Sequence, residues 1–241
     1  MTRIPIPQLG TAYDSPFPDP AKTEHPEGLL AWGGDLHPQR LLNAYRQGIF
    51  PWYESDSPIL WWSPEPRAVM LPGQTHISRR LRRTLRQGRF RARADTDFDN
   101  VIRACADIRS GQDGTWITPH MQGAYRRLHR LGHAHSIEIL MDDELVGGLY
   151  GVAIGRIFFA ESKFHRRRDA SKIALAVLMR ALETWGYWLA DCQVWNPHLE
   201  RLGVSLLSGN SFRETIADGV ELDPAPDAWN RHLHGVPLED W

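Results

Sequence analysis

Lysine is nearly missing from this 241-residue sequence: of 28 Lys+Arg residues only Lys22, Lys163 and Lys172 are lysine, and the other 25 are arginine. Cysteine is scarcer still. Cys105 and Cys192 form no CxxC pair and no disulfide framework, which fits a reducing cytoplasm and leaves at most one disulfide open. No apolar run approaches the roughly 20 residues needed to span a bilayer, so no membrane role is expected. The start, MTRIPIPQLG, lacks the charged-then-apolar pattern of a signal peptide. There is no GxxxxGK[ST] run to cradle a nucleotide, no internal repeat and no low-complexity segment.

What is present is ordinary in amount and uneven in place. Hydrophobic content of 42% and charged content of 24% suit a globular protein, with one large domain or a large and a small one. The net charge of −1 conceals a cluster. Eight arginines lie between Arg79 and Arg93 with no acid among them, and Arg166, Arg167 and Arg168 make a second group. Acids gather near the end, at Glu214, Asp218, Glu221, Asp223 and Asp227. The planar fork of arginine suits phosphate better than the point charge of lysine. The cluster therefore suggests one anionic partner face, the alternative being a solvated helix face.

Residues 1–66 are rich in proline, glycine and aromatics and predict a small subdomain. One helix is expected over 38–46, with Leu41, Leu42 and Tyr45 on its apolar face and Gly48 as its stop. The rest reads as loop held by Phe50, Trp52, Tyr53, Trp61 and Trp62. From Arg67 to the end a larger domain is expected. Its elements are a strand at 67–71, a basic helix at 78–87, a strand at 89–94, and helices at 98–108 and 119–131. A meander of three strands follows at 136–141, 145–152 and 156–160. The interior glycines Gly147 and Gly148 suggest a bulge or a close approach of backbone or substrate. Glu161 stands where the third strand is expected to open into a loop, either to recognise something cationic or as a solvated loop carboxylate. A helix at 170–185, capped by Asp169 or Ser171, carries Ile173, Ala174, Val177, Leu178, Ala181, Leu182 and Trp185 at helical spacing. A strand at 187–194 and a short C-terminal region follow, and the chain from Asp223 reads as a loosely packed tail. His129, His133 and His135 could suggest a metal site, but Gly132 interrupts any helix that would align them, so core or loop hydrogen bonds are the expectation.

This order indicates an α+β fold with a mainly antiparallel sheet, and a meander crossed by a helix is the plan of the GCN5-related N-acetyltransferases. Nine segments are more specific: GLLAWGGDL (28–36), GIFPWY (48–53), WWSPEPRAV (61–69), GTWIT (114–118), LGHAHSIE (131–138), ELVGGLYGVAIG (144–155), AESKF (160–164), ASKIAL (170–175) and DCQVWN (191–196). With these in order, the chain resembles the leucyl/phenylalanyl-tRNA–protein transferase family over roughly 28–212.

The resemblance implies transfer of leucine or phenylalanine from aminoacyl-tRNA to the α-amino group of proteins beginning with Arg or Lys, marking them for degradation in the bacterial cytoplasm. A charged tRNA is already activated, so no cofactor and no metal are expected, and a monomer is. On the family's motif Asp191 and Gln193 are catalytic, two residues apart on one strand face. Gln193 would accept from the amine, while Asp191 fixes its amide and balances charge. Glu161 would hold the acceptor's basic end. Trp52 and Trp116 would take the terminal adenosine, where stacking is worth roughly 1–3 kcal/mol per base, or serve as aromatic packing between subdomains. Leu149, Phe158, Leu175 and Leu178 would make the donor pocket, with Asn196 also binding substrate. Arg79, Arg80, Arg82, Arg83 and Arg86 would track tRNA phosphates. Two departures stand out: Lys163 where the family usually has methionine, and Ser208-Gly209 where many relatives carry Pro-Arg. The rival readings are an acetyl-CoA-dependent N-acetyltransferase, which would need glycines that SKFHRRRDAS lacks, and a non-catalytic tRNA-binding protein, which would leave DCQ unexplained.

Overall fold

The computed structural model describes residues 5–110, 116–223, 228–230, 232–233, 236 and 240–241. Gly114 and Thr115 of GTWIT, the loop 111–114 and Asp227 lie outside the described residues.

The N-terminal part is more than loop and one helix. Strands β1 (Gln8–Leu9), β2 (Leu29–Gly33), β3 (Phe50–Pro51) and β4 (Leu60–Trp62) form a small sheet in the order β1-β2-β4-β3. Strands of two to five residues are too short to show alternation, which is why the sequence reads as loop there. Helix α1 (Pro38–Arg46) follows the expected bounds. Gly48, at φ +72°, turns the chain beneath Phe212, whose ring would lie 2.6 Å from any Cβ at that position.

The larger part is built on a seven-stranded sheet. In chain order its elements are β5 (Arg67–Met70), α2 (Arg79–Arg86), β6 (Arg91–Ala94), α3 (Phe98–Ser110), α4 (Pro119–Arg130) and β7 (Ala134–Met141). There follow β8 (Glu144–Ile154), β9 (Ile157–His165), α5 (Ala170–Thr184), β10 (Leu189–Gln193), α6 (Pro197–Glu200), β11 (Ser205–Leu207) and α7 (Gly209–Gly219). The strand order is β11-β5-β10-β9-β8-β7-β6, and among the described residues of this sheet only β9 and β10 pair in parallel. The expected antiparallel meander, crossing helix and returning strand are therefore present, on an α+β plan.

One core lies on each sheet face. On one, α3 and α4 share a continuous apolar cluster with the N-terminal part, from Leu41, Tyr45 and Trp61 to Val101, Tyr125 and Phe159. On the other, α5 packs Ile173, Leu178 and Leu182 against Ile137, Leu149 and Phe158. The described residues of the tail are buried here as well: Trp229 stacks on His135 and Phe158, and Leu233, Val236 and Trp241 join the cluster. Prolines and acids make this stretch read as loose, while its spaced apolar residues pack it down.

Two further boundaries differ from the sequence reading. β8 runs on to Ile154, so the turn falls at Gly155. β9 does not end at Ala160 but continues to His165, with Glu161, Ser162 and Phe164 buried. Gly147 admits close approach, but of protein: a Cβ there would meet the Ala170 methyl at 2.6 Å, so the first turn of α5 rests on bare backbone. Asp169 occupies the cap position of α5 at φ +66° without capping it, and its carboxylate instead pairs with Lys172 and Arg80.

Candidate active site

Two adjacent irregularities build the site. In the β8–β9 ladder Tyr150 pairs with Ser162 and Gly151 with Ala160, so Glu161 is the extra residue of a β-bulge. In the β10–β5 ladder the register shifts between Asp191 and Gln193, and Gln193 takes φ +63°. A left-handed non-glycine residue costs roughly 1–3 kcal/mol and persists where its surroundings fix it. Here Asp191 Oδ1 accepts the Gln193 backbone N–H at 2.8 Å.

Asp191 and Gln193 do not act on each other through their side chains. The Asp191 carboxylate is wholly buried and receives the Arg67 fork at 2.8 and 2.7 Å. Arg67 is itself held over the Phe50 and Phe212 rings. Removing one partner of such a buried pair typically costs about 3–5 kcal/mol, because the other charge is left stranded. Asp191 therefore fixes the backbone of Gln193, not its amide. The bulge at Cys192 separates the two side chains, a feature that strand periodicity alone does not reveal.

The amide of Gln193 is held by Glu161, whose Oε1 accepts its Nε2–H at 2.8 Å. The Tyr45 hydroxyl donates to Oε1 at 2.7 Å and the Tyr125 hydroxyl to Oε2 at 2.9 Å, while the two hydroxyls also touch each other. Tyr45 comes from α1, and Tyr125 from α4, whose start is fixed by the Thr118 side chain accepting from Met121 N–H. Neither tyrosine was marked functional by its sequence. A tyrosine on the core-facing side of a helix is the available signal, since a buried phenol needs a partner.

Burial pushes Glu161 up to about 7, assisted by the Asp191 charge and opposed by its three donors. Burial likewise raises both phenols well above their ordinary range, so they stay protonated donors. Desolvation pushes the half-buried Cys192 up to about 12, and neither Cys192 nor Cys105 is in a disulfide.

These groups open onto a cavity of about 180 Å³. Leu149, Leu175 and Lys163 form part of its wall, with Gln193, Glu161 and Asn196 on the polar side. Phe158 and Leu178 are not brought to it: both are fully buried in the core beneath, Phe158 against Trp229. Glu161 lines the cavity with three donors already on it, and the one lone-pair position left at Oε2 is too little for a two-pronged guanidinium.

Trp52 and Trp116 meet in a second cavity of about 690 Å³, with Tyr53 and Trp62. Trp52 is 47% exposed and Trp116 half-buried. Trp52 is steadied by Trp62, whose indole N–H donates to its carbonyl at 2.7 Å. On α2, Arg79, Arg80, Arg82, Arg83 and Arg86 are all exposed. Arg80 faces Asp169 at 3.9 Å, and Arg86 bonds the Trp241 carbonyl. His129 bonds the Ala134 carbonyl at 2.8 Å and His135 bonds Asp95 at 2.6 Å, so these rings serve the core. Among the described residues no helix is long and apolar enough to cross a membrane.

Comparison with known proteins adds the family. The profile described as leucyl/phenylalanyl-tRNA protein transferase matches residues 69–217, and that of its N-terminal domain matches 34–65. This chain belongs to the leucyl/phenylalanyl-tRNA–protein transferase family. A transferase of that name from Chromobacterium violaceum is 50% identical over 94% of this chain and 97% of its own length. The one from Aromatoleum aromaticum is 52% identical over 93% and 94%. Among solved structures, the C-terminal domain of a putative lysylphosphatidylglycerol synthetase from Agrobacterium fabrum covers 79% of this chain and 58% of its own, at 12% identity and a TM-score of 0.37. A GCN5-related N-acetyltransferase-like protein from Streptococcus suis covers 67% and 60%, at 16% identity and a TM-score of 0.30. Likeness at that level carries no functional weight.

The titration of Glu161 predicts a stability effect of definite sign. The folded protein holds this proton up to about 7, whereas the unfolded chain releases it near the ordinary 4.5. Stability from this group is thus present below 4.5 and lost as pH rises through 7, by roughly 3 kcal/mol in all. Urea unfolding of the native chain and of Glu161→Gln across this range should show that difference. Parallel stability curves would mean that Glu161 titrates like an exposed carboxylate.

Proposed function

We propose that this protein moves leucine or phenylalanine from the 3′ end of an aminoacyl-tRNA to the α-amino group of a polypeptide beginning with Arg or Lys, marking it for degradation. The observation that carries the reading is the Gln193 amide, locked by Glu161 at the mouth of a cavity of about 180 Å³ with one apolar and one polar side. With its N–H given to Glu161, Gln193 turns its carbonyl oxygen to an incoming amine. Leu149 and Leu175 take the donor side chain, and the aromatic cavity of Trp52 and Trp116 takes the terminal adenosine, where a flat indole suits a base.

The chemistry asks little beyond positioning. The ester is activated before it arrives, and the amine has a reference pKa of about 7.7–8.0, so a useful fraction is neutral near pH 7. Holding both in one geometry supplies much of the acceleration. A third cavity of about 500 Å³ lies beyond Val194, which lines both it and the donor cavity, and carries the carboxylates Glu27 and Glu65. Glu65 is already paired with Arg213, so Glu27 is the carboxylate here that fits a cationic acceptor end better than Glu161 does. At the donor cavity Lys163 keeps its stem on the wall while its ammonium favours the water side, so shape rather than a closed apolar floor selects the donor.

Incubation with Leu-tRNA or Phe-tRNA and an Arg-starting peptide should add one leucyl or phenylalanyl residue to the peptide, read by mass. Binding of tRNA without that addition, or acetylation from acetyl-CoA in its place, would overturn the reading. For the basic helix, replacing Arg79, Arg82 and Arg83 with alanine should lower tRNA affinity and flatten its logarithmic salt slope by about 2 to 3. An unchanged slope would make α2 a solvated face.

A further inference from the structure

The hydrogens around Glu161 do not add up while it is ionised. Four oxygens make three contacts: Tyr45 with Tyr125, Tyr45 with Oε1, and Tyr125 with Oε2. Each hydroxyl carries one hydrogen, so the two phenols supply two hydrogens for three contacts. A proton on Glu161 supplies the third. Oε2–H can then donate to Tyr125, Tyr125 to Tyr45, and Tyr45 to Oε1, closing a ring in one direction. The Gln193 amide keeps its bond to Oε1 throughout. The cluster is one hydrogen short of complete.

It also has room to receive that hydrogen. A carboxylate offers about four lone-pair positions, and here Oε1 accepts two donors while Oε2 accepts one. Glu161 is 9% exposed, and that exposure is to the cavity it shares with Gln193 and Asn196. Among the described residues the facing groups leave the charge without a cation in contact. Tyr45 comes from α1, Tyr125 from α4, Tyr150 from β8 and Asp191 from β10. The one arginine buried nearby, Arg67 on β5, is committed to Asp191. Lys163 and Cys192 line the same cavity.

We propose that Glu161 is a catalytic residue that takes a proton from the acceptor's α-ammonium, with Tyr45 and Tyr125 as positioning residues that complete their ring when it arrives. This rests on the aminoacyl-transfer reading above. In the step an N–H bond of the ammonium breaks and an O–H bond forms at Oε2, leaving the nitrogen pair free. That pair forms the N–C bond to the ester carbonyl. The C–O bond to the tRNA 3′ oxygen then breaks, and its electron pair stays on that oxygen. The oxygen takes a second proton from the new amide nitrogen, and Glu161 returns the first to water. A carboxyl near 7 and an amine of about 7.7–8.0 are close enough for this exchange to run both ways. Asp191 cannot share the task, since its two oxygens are filled by Arg67 and the Gln193 backbone.

The test is single-turnover transfer from preloaded Phe-tRNA to an Arg-starting peptide, from about pH 6 to about pH 9. Glu161→Gln should slow transfer by about 100-fold at the acid end, and the defect should shrink to below about tenfold at the alkaline end, where the amine arrives neutral. Tyr125→Phe removes one donor to the ionised carboxylate. Whatever it does to the plateau rate, it should move the acid limb up by about one pH unit. A Glu161→Gln defect of equal size at every pH, or an acid limb unmoved in Tyr125→Phe, would overturn the inference. Should Glu161→Gln not fold, the limb of Tyr125→Phe decides alone. A native protein that transfers nothing would sink the activity itself, and this inference with it. Retained transfer with an unmoved limb would sink only the role of Glu161.

Discussion

A carboxylate buried without a cation is the constraint on which this site depends. Glu161 sits at the centre of the sheet, in the bulge of β9, and its charge is balanced only by hydrogen bonds from two phenols and an amide. Taking such a group out of water is costly, and the structure meets the cost from three directions. α1 of the N-terminal part brings Tyr45, α4 brings Tyr125, and the bulged end of β10 brings Gln193. The small N-terminal sheet is thereby tied to the chemistry as well as to the core.

A second buried carboxylate is treated in the opposite way. Asp191 has its arginine, in a bidentate pair closed to solvent, and so serves as a fixed post. The strained Gln193 backbone hangs on it. Two carboxylates on neighbouring strands thus have different duties, one bound in a two-pronged ion pair and one left free to change charge. Environments that separate two acids in this manner are a common basis for dividing structural and proton-transfer roles.

Much of this was legible in the residues, because the legible parts are long and periodic. The apolar spacing of Ile173, Ala174, Val177 and Leu178 places α5, and its residue Leu175 lines the cavity beside Gln193. Glu161, Gln193, Asn196, Leu149 and Leu175 share one cavity, and Trp52 and Trp116 share another. What stayed hidden is what periodicity cannot carry. Bulges shift register without changing composition, so neither the extra residue at Glu161 nor the turn-out at Gln193 showed. Phe158 and Leu178 alternate correctly but point one layer too deep. Tyr45 read as one more apolar residue of α1, and its hydroxyl has meaning only beside Tyr125, 80 positions away. The strands of the N-terminal sheet are too short to declare themselves.

The most direct measurement is the protonation of Glu161 itself. In protein labelled with ¹³C at the glutamate carboxyl carbons, the Glu161 resonance is assigned by its loss in Glu161→Gln and followed with pH in the native chain. A carboxylate held by phenols and an amide alone should titrate with a midpoint at about 7. A midpoint in the ordinary range near 4.5 would show that Glu161 stays charged throughout the working range, and would contradict the account of a site built around its proton.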